Sequence, residues 1–485
     1  MALSRRDLLK ASAVALAGCG VVAQSPTTGT SPTGENPKNE TPGGETPGET
    51  PGGETPGGNT GTTGTTGETG ETGPTGPQPK LDVSTLPQSP AFPLGVGSGD
   101  VLPGAAILWS KTSATEPLKV RVWTEKAPTT FAFAAGVTAK DGFLSVEAKN
   151  LQPNTTYYYA FTIDDKARSP IGRFKTAPPL DSLDVVIFGG SCCTRHSRAA
   201  PFPTLSDAAT HDDLAFFVHG GDRVYCDGAV SLAQYRNKYA QTYAEKGMLE
   251  LNGAHAVFST WDDHEIDNNF NPESGDANQI AAARTAFFEH SGLRKDASDP
   301  NRIWRSARFG KTLELFILDA RGERKPSTRL GPDPIYLSRA QMDWLKASLT
   351  ASPAKFKFIV NQVPISIFGG AFAFAANDRW EGYAAQRTEI LSHISSEAIA
   401  GVWWLSGDFH FGAVGGTDGV REILWGPGGN TPNVLYPLVD PAAFPFTTGE
   451  STYTVLKADP VKNELTIEFI DGAGDVIYAQ TYANT

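Results

Sequence analysis

The chain has 485 residues, 39% of them apolar, and a formal net charge of −12, a length that fits roughly two to four domains at ~100–200 residues each. A net-acidic chain with no run of Lys or Arg excludes stable nucleic-acid binding as its main business, and no internal apolar stretch reaches the ~18 residues of a membrane span. Four cysteines, two of them adjacent, are too few to frame so long a chain with disulfides.

Residues 1–19 read as an export address. Arg5, Arg6 and Lys10 precede the apolar residues 11–17, a basic start followed by a hydrophobic region too short to cross a bilayer. The paired arginines have the form of a twin-arginine export signal. Leu16-Ala17-Gly18-Cys19 has the form of a lipobox, which makes Cys19 the expected lipidated residue. The protein is therefore expected to be exported folded and held on a membrane by lipid, in the periplasm or at the cell surface. Residues 20–90 read as a tether. The unit Thr41-Pro42-Gly43-Gly44-Glu45 recurs at 50–54, and no aromatic residue occurs before Phe92. With almost nothing apolar to bury, such a segment is expected to stay disordered.

Residues 91–178 read as short strands, at 105–109, 119–123 and 157–161, bounded by Gly, Pro and Asn turns. The run from Leu151 to Tyr157 resembles the turn into the tyrosine-corner strand of a fibronectin-type sandwich. No ligand set falls in this stretch, so a packing or spacer domain is expected.

From residue 179 to 485 the pattern changes. Strand candidates at 185–188, 214–218, 256–260, 313–318, 356–360 and 402–405 alternate with helices. One helix covers 232–243, where Leu232, Tyr235, Tyr239 and Tyr243 share a face. Another begins at Ser338, with Gln341 placed as its capping-box partner. Alternation of this kind predicts a layered α/β domain, which strands near 452–456, 464–469 and 475–480 close as a β-meander.

Ligands bind at the carboxyl ends of strands in such sheets, and four strand ends here carry metal-type side chains. After Phe188 comes Ser191-Cys192-Cys193. After Val218 comes His219-Gly220-Gly221-Asp222-Arg223-Val224-Tyr225. After Thr260 comes Asp262-Asp263-His264-Glu265-Ile266-Asp267-Asn268. After Leu405 comes Ser406-Gly407-Asp408-Phe409-His410. Asp and His at loop starts are often caps or turn residues, but four clusters after four apolar strands favour one composite metal site.

This constellation resembles the PhoD-like alkaline phosphatases and phosphodiesterases, within the calcineurin-like metallophosphoesterases. Supporting motifs include residues 94–100, Leu318-Asp319-Ala320-Arg321, the run from Gln341 to Leu345, and Trp380-Glu381-Gly382-Tyr383. The resemblance implies a metallophosphoesterase α/β sandwich preceded by a small fibronectin-type β-sandwich. It implies an enzyme that hydrolyses phosphate esters at Fe(III) and Ca(II). Cys192, Asp222, Tyr225 and His410 would hold iron. Asp222 would bridge to calcium, with Asp263 and Asp408 on that side. Thiolate and phenolate suit a ferric ion, and carboxylates suit calcium. Zinc is the rival metal, ranked second because the set is oxygen-rich. Cys192 is preferred to Cys193 by the family's Ser-Cys pattern, and strand alternation should turn Cys193 away, as a buried thiol or a disulfide partner of Cys226. His264 and Arg236 are expected to be catalytic, His264 on the leaving group and Arg236, with Arg195 and His196, on phosphate charge. His219 is expected at the mouth. Asp227 is either a calcium ligand or a turn residue. The partners expected are a phosphate-ester substrate and a membrane, with the protein itself a monomer. The alternative reading is a surface-tethered binding lipoprotein with a degenerate metal site. Monoester against diester preference stays open.

Overall fold

The computed structural model describes residues 81–485. The export signal, Cys19 and the tether as far as residue 80 lie outside the described residues. The last ten residues assigned to the tether are packed rather than free: Val83 is fully buried beside Trp123 and Ala160, and Ser89 N–H donates to the Arg168 carbonyl at 2.8 Å. Leu81, Val83 and Leu86 supply the apolar surface that the Thr/Pro/Gly/Glu stretch lacks.

Eight strands come first: β1 Val96–Leu102, β2 Ala105–Lys111, β3 Leu118–Trp123, β4 Phe133–Val137, β5 Phe143–Lys149, β6 Thr156–Ile163, β7 Ala167–Arg168 and β8 Gly172–Lys175. They pair antiparallel in two small sheets, β1-β2-β5 and β4-β3-β6-β7, with β8 on β6. Alternate residues of both sheets, among them Leu108, Val120, Leu144, Tyr157 and Phe161, are buried in one shared core. The Gln152 N–H donates to Tyr157 Oη at 2.8 Å, the upstream backbone contact of a tyrosine corner.

Fourteen further strands build two seven-stranded sheets. The first contains β9 Val186–Thr194, β10 Phe216–His219, β11 Val257–Ser259, β18 Pro427–Gly429, β20 Thr452–Asp459, β21 Glu464–Asp471 and β22 Val476–Ala483. Its order is β11-β10-β9-β20-β21-β22, parallel across β9 to β11, with β18 parallel to the far end of β9. The second contains β12 Arg305–Phe309, β13 Leu313–Ile317, β14 Phe356–Asn361, β15 Val402–Ser406, β16 Gly412–Gly415, β17 Glu422–Leu424 and β19 Phe446–Thr448, in the order β12-β13-β14-β15-β17-β16-β19. Phe188 and Phe216 of the first sheet meet Phe358 and Phe309 of the second, at ring-centroid distances of 5.2 and 4.3 Å. The two sheets therefore face each other over one apolar layer.

Helices cover the outer faces. Helices α1 Leu232–Tyr243, α2 Lys246–Ala254 and α3 Ala277–Glu289 share a core with Phe217 and Val257 of the first sheet. Helices α4 Arg339–Ala351 and α5 Ala384–Ser396 pack with Phe316, Ile359 and Trp404 of the second. The result is helix, sheet, sheet, helix, because strands buried on both faces read as near-continuous apolar runs. The capping box expected at Ser338 is half made. Ser338 Oγ accepts from Gln341 N, but the Gln341 amide turns inward to the Asp319 backbone, and Glu323 takes the Ser338 N–H. A complete box stands at Ser231 and Gln234, opening α1. Among the described residues no helix is long and apolar enough to cross a membrane.

Candidate metal centre

The four strand-end clusters converge at the carboxyl ends of β9, β10, β11 and β15. The turns that bring them there are tight: Cys193, Asp222, Asp408 and His410 all have positive φ, at 54°, 55°, 67° and 54°. Left-handed backbone at non-glycine residues costs of order 1–3 kcal/mol each and gathers at functional sites. Gly221 belongs to the same device. Its φ is +112°, and a Cβ on it would come 2.7 Å from Asp262 Cβ.

Three groups of side chains lie with their ligand atoms within 4.8 Å of one another: Cys193, Asp222 and His410; Asp222, Asp263 and His264; Asp262, Asp263 and Asp408. Asp222 joins the first two groups and Asp263 the last two. All are buried except Asp408, which is half-buried. Tyr225 Oη donates to Asp222 Oδ2 at 3.0 Å, lies 3.0 Å from His410 Nε2, and accepts from the Asn430 amide at 2.7 Å. Cys193 Sγ stands 3.7 Å from Asp222 Oδ2. Asp222 Oδ1, Asp262 Oδ2 and Asp263 Oδ1 are buried carboxylate oxygens without a hydrogen-bond partner. Orphaned acceptors of this kind are rare and costly, and a cation satisfies them.

The charges are strongly coupled. Burial works against the charged form of Asp222, but His264 and His410 outweigh it and hold the carboxyl below its usual range. Burial likewise works against charge on the two histidines, yet the surrounding acids, and Cys193 beside His410, raise both to about 10. Asp408 is raised to about 6, by burial and neighbouring carboxylates against the pull of Arg321. In the metal-free protein, protons and guanidinium groups thus supply the positive charge that the acid cluster demands.

Two buried residues organise the centre. Glu265 accepts the backbone N–H groups of Asp222, Arg223, Val224 and Asp262, at 3.1, 2.5, 3.3 and 2.8 Å. One carboxylate thereby ties the β10 loop to the β11 loop. Arg321 is fully buried. It pairs with Asp262 and Asp378 and lies 3.0 Å from Asp408 and 3.7 Å from Asp263. At the rim, Arg195 lies over the Tyr225 ring, 5.0 Å from its centroid, and is half-buried. His264 Nδ1 is held by Asp227 Oδ1 at 2.6 Å, which also accepts the Asn268 N–H at 3.0 Å. The ring of His264 lies 4.1 Å from that of Tyr225.

The profile of the PhoD-like phosphatases matches residues 187–422, and that of the same family's N-terminal domain matches residues 78–178. The chain belongs to the PhoD-like phosphatases. It is 28% identical over 403 residues to alkaline phosphatase D of Bacillus subtilis (strain 168), an alignment that covers 68% of this chain and 66%, just under two thirds, of that protein. A solved structure of PhoD superposes with a TM-score of 0.72 at 22% identity, covering 81% of this chain and 89% of the other. Purple acid phosphatase PPD1 from yellow lupin superposes at 0.58 with 13% identity, covering 80% and 73%; that likeness is one of fold.

In this PhoD-like phosphatase the structure brings Asp222, Tyr225, Asp263, His264, Asp408 and His410 together as expected. It departs from the sequence reading at five places. Cys193, rather than Cys192, faces Asp222 and His410, because β9 runs on to Thr194 beside β18 and the positive φ of Cys193 cancels strand alternation. Cys193 and Cys226 are both free, so no disulfide joins them. Arg236 is not at the centre: it leaves the far side of α1 to pair with Glu289 and Asp141. His219 is fully buried rather than at the mouth, with Nε2 3.4 Å from Thr194 Oγ1, and burial holds its ring neutral. His196 faces Glu245 at 3.1 Å. Glu265 and Arg321 lie within Asp262-Asp263-His264-Glu265 and Leu318-Asp319-Ala320-Arg321, and sequence reasoning assigned neither a role. A charged residue in the loop that leaves an apolar strand, six residues past β11 for Glu265 and four past β13 for Arg321, was the signal available for each.

Proposed function

We propose that this chain is an extracytoplasmic, metal-dependent phosphoesterase, exported by the twin-arginine route and anchored by lipid on Cys19. The observation that carries the enzymatic reading is the set of orphaned carboxylate oxygens on Asp222, Asp262 and Asp263, set among His264, His410, Tyr225 and Cys193. Such a donor set fits a hard cation beside a second ion that accepts sulfur and phenolate. Cys193, Asp222, Tyr225 and His410 would hold iron, and Asp222, Asp263 and Asp408 calcium. Bound there, the metals supply the Lewis acidity that phosphoryl transfer to water needs. Zinc is the runner-up.

The chain's own residues divide the remaining work. Arg195 meets the charge of the bound phosphoryl group. His264 carries a proton to the leaving oxygen, and Asp227 fixes its tautomer by holding Nδ1, so that Nε2 faces the substrate. Glu265 keeps the Asp222 and Asp262 backbones in place while the charge at the centre changes. The sandwich of residues 96–175 contributes no side chain to this set. It is bolted to the catalytic part by Asp100, whose carboxylate takes Arg305 at 2.8–2.9 Å and the Arg294 N–H at 2.6 Å.

The test is metal analysis of natively exported protein together with hydrolysis of p-nitrophenyl phosphate and bis-p-nitrophenyl phosphate. Bound iron and calcium with turnover of either ester is the expected result. Protein that holds no metal and turns over neither ester would return the chain to the binding-lipoprotein reading. Membrane retention of Cys19→Ser equal to the parent would remove the anchor without touching the enzyme.

A further inference from the structure

In a regular strand, adjacent residues point to opposite faces. At Cys192 and Cys193 they do not. The φ of 54° at Cys193 swings its side chain back, and the two Sγ atoms lie 3.1 Å apart, both fully buried and both free. Cys193 faces Asp222 and His410. Cys192 Sγ is turned to the carbonyls of Trp425 and Gly426, at 3.4 and 3.9 Å, and its Cβ lies against Gly407, where a side chain would come within 3.3 Å. Cys192 is thus walled in against its neighbour and, among the described residues, meets no other thiol.

We propose that Cys192 and Cys193 form an oxidation site of the metal-free protein, at which a hydroperoxide joins the two sulfurs in a vicinal disulfide and withdraws Cys193 from the metal centre. The inference rests on the reading of Cys193 as a metal ligand. With hydrogen peroxide the chemistry closes in two steps. Cys193 sulfur attacks one peroxide oxygen, the O–O bond breaks, and a sulfenic acid and one water result. Cys192 sulfur then attacks the Cys193 sulfur, the S–O bond breaks, and a second water leaves. Two thiols have lost two protons and two electrons, and the peroxide has taken them. The sulfurs must close from 3.1 Å to ~2.05 Å, and Cα atoms ~3.8 Å apart across one peptide are nearer than the ~4.4–6.8 Å usual for disulfides. A strained bond of this kind is easily reduced, so the product is a reversible lock. A metal on Cys193 occupies the sulfur that must attack. The pair therefore favours loading of metal before the chain meets an oxidant.

The test compares full-length protein in metal-loaded and metal-stripped forms, each exposed to hydrogen peroxide, then denatured and alkylated. Trypsin releases residues 176–195, which hold Cys192 and Cys193 and no other cysteine. The stripped protein is expected to yield this peptide about 2 Da light and unalkylated, restored by dithiothreitol. Its capacity to take up metal should fall at least tenfold until it is reduced. Cys192→Ser should lack the light species and carry Cys193 on to sulfinic acid. Two fully alkylated cysteines in the stripped wild-type protein, or separate oxidation of each without the light peptide, would overturn the proposal. Disulfide formation as fast in the loaded protein would instead overturn the protection by metal, and with it the placement of metal on Cys193, leaving the sulfur pair itself standing.

Discussion

Arg321→Met is the sharpest probe of how the acid cluster holds together. The side chains are similar in length, so packing should survive, but the guanidinium is fully buried among Asp262, Asp263, Asp378 and Asp408. Removing one partner of a buried ion pair typically costs about 3–5 kcal/mol, because a charge is left uncompensated. If residues 81–485 unfold together, the unfolding entropy at the midpoint is roughly 0.85 kcal/mol per kelvin at ~2.1 cal/mol/K per residue, so the metal-free variant should melt about 4–6 °C below the parent. The loss has a predicted pH dependence. Asp408 already titrates at about 6 in the folded protein, above the ~3.9 of an unfolded aspartate. Without Arg321 it rises further. The folded variant then binds more protons than the unfolded chain between pH ~4 and the raised value, so its stability falls as pH rises through that window. The parent loses stability up to about pH 6 in the same way, so the deficit should be small near pH 4.5, open above about pH 6 and be clearly larger near pH 7.5. Melting curves of chelated protein at those two pH values are the assay, and calcium should narrow the gap by filling the vacated charge. A deficit below about 1 °C, or one equal at both pH values, would refute the assignment of Arg321 as the counter-charge of the cluster.

Four further substitutions divide the site from its surroundings. Arg236→Ala breaks half-exposed pairs to Glu289 and Asp141, so kcat/KM should stay within twofold while stability falls by no more than about 1 kcal/mol; a tenfold loss of kcat would return Arg236 to the catalytic set. Arg195→Ala should raise KM about tenfold with an unchanged melting temperature, since its side chain rests over the Tyr225 ring at the rim and a charge-assisted contact to phosphate is worth ~1.5–3 kcal/mol; unchanged KM would sink its role. Asp227→Asn should lower kcat some 10–100-fold with metal content intact, as loss of a histidine's supporting carboxylate commonly does; loss of metal instead would make Asp227 a ligand. Tyr225→Phe keeps the ring but deletes the oxygen shared by Asp222, His410 and Asn430, so iron content and the visible absorption of a ferric phenolate should both drop, read by elemental analysis and absorbance; an unaltered spectrum would place iron elsewhere or nowhere.

The layered fold was legible because its strands are buried on both faces. Phe356 to Asn361 and Val402 to Ser406 are wholly buried, and such runs announce themselves without any periodicity to decipher. The helix over Leu232–Tyr243 was legible for the opposite reason: Tyr235, Tyr239 and Tyr243 are buried and the positions between them largely are not. The end of β9 was not legible. Gly189 to Thr194 carries two glycines, a serine and two cysteines, poor strand formers by composition. Residues 189–191 are held extended between β10 and β20, and Cys192 and Thr194 by pairing with β18, whose sequence Pro427-Gly428-Gly429 reads as a turn. Neither residues 192–194 nor β18 indicates a strand alone, and each is one because of the other.

The errors at the metal centre follow from that same segment. Motif spacing located the loops, because Asp, His and Tyr after an apolar strand need only the strand end to be placed. Choosing between Cys192 and Cys193 needs a backbone angle, and the alternation rule holds only where φ stays negative. The sign of φ at Cys193 is set from outside the strand: its N–H donates to the Gly221 carbonyl at 3.1 Å, and the Thr194 N–H donates to the Asp222 carbonyl at 2.8 Å. Those carbonyls belong to the loop whose N–H groups Glu265 gathers. A single buried carboxylate from the third cluster thus fixes the second, and the second dictates which sulfur of the first enters the site. Arg236 and Arg321 follow the same logic. On a helix face an arginine is free to find surface acids, as Arg236 does, whereas four residues past β13 Arg321 has only the converging carboxylates to meet. Position relative to a strand end, more than residue type, decided which guanidinium stands at the centre.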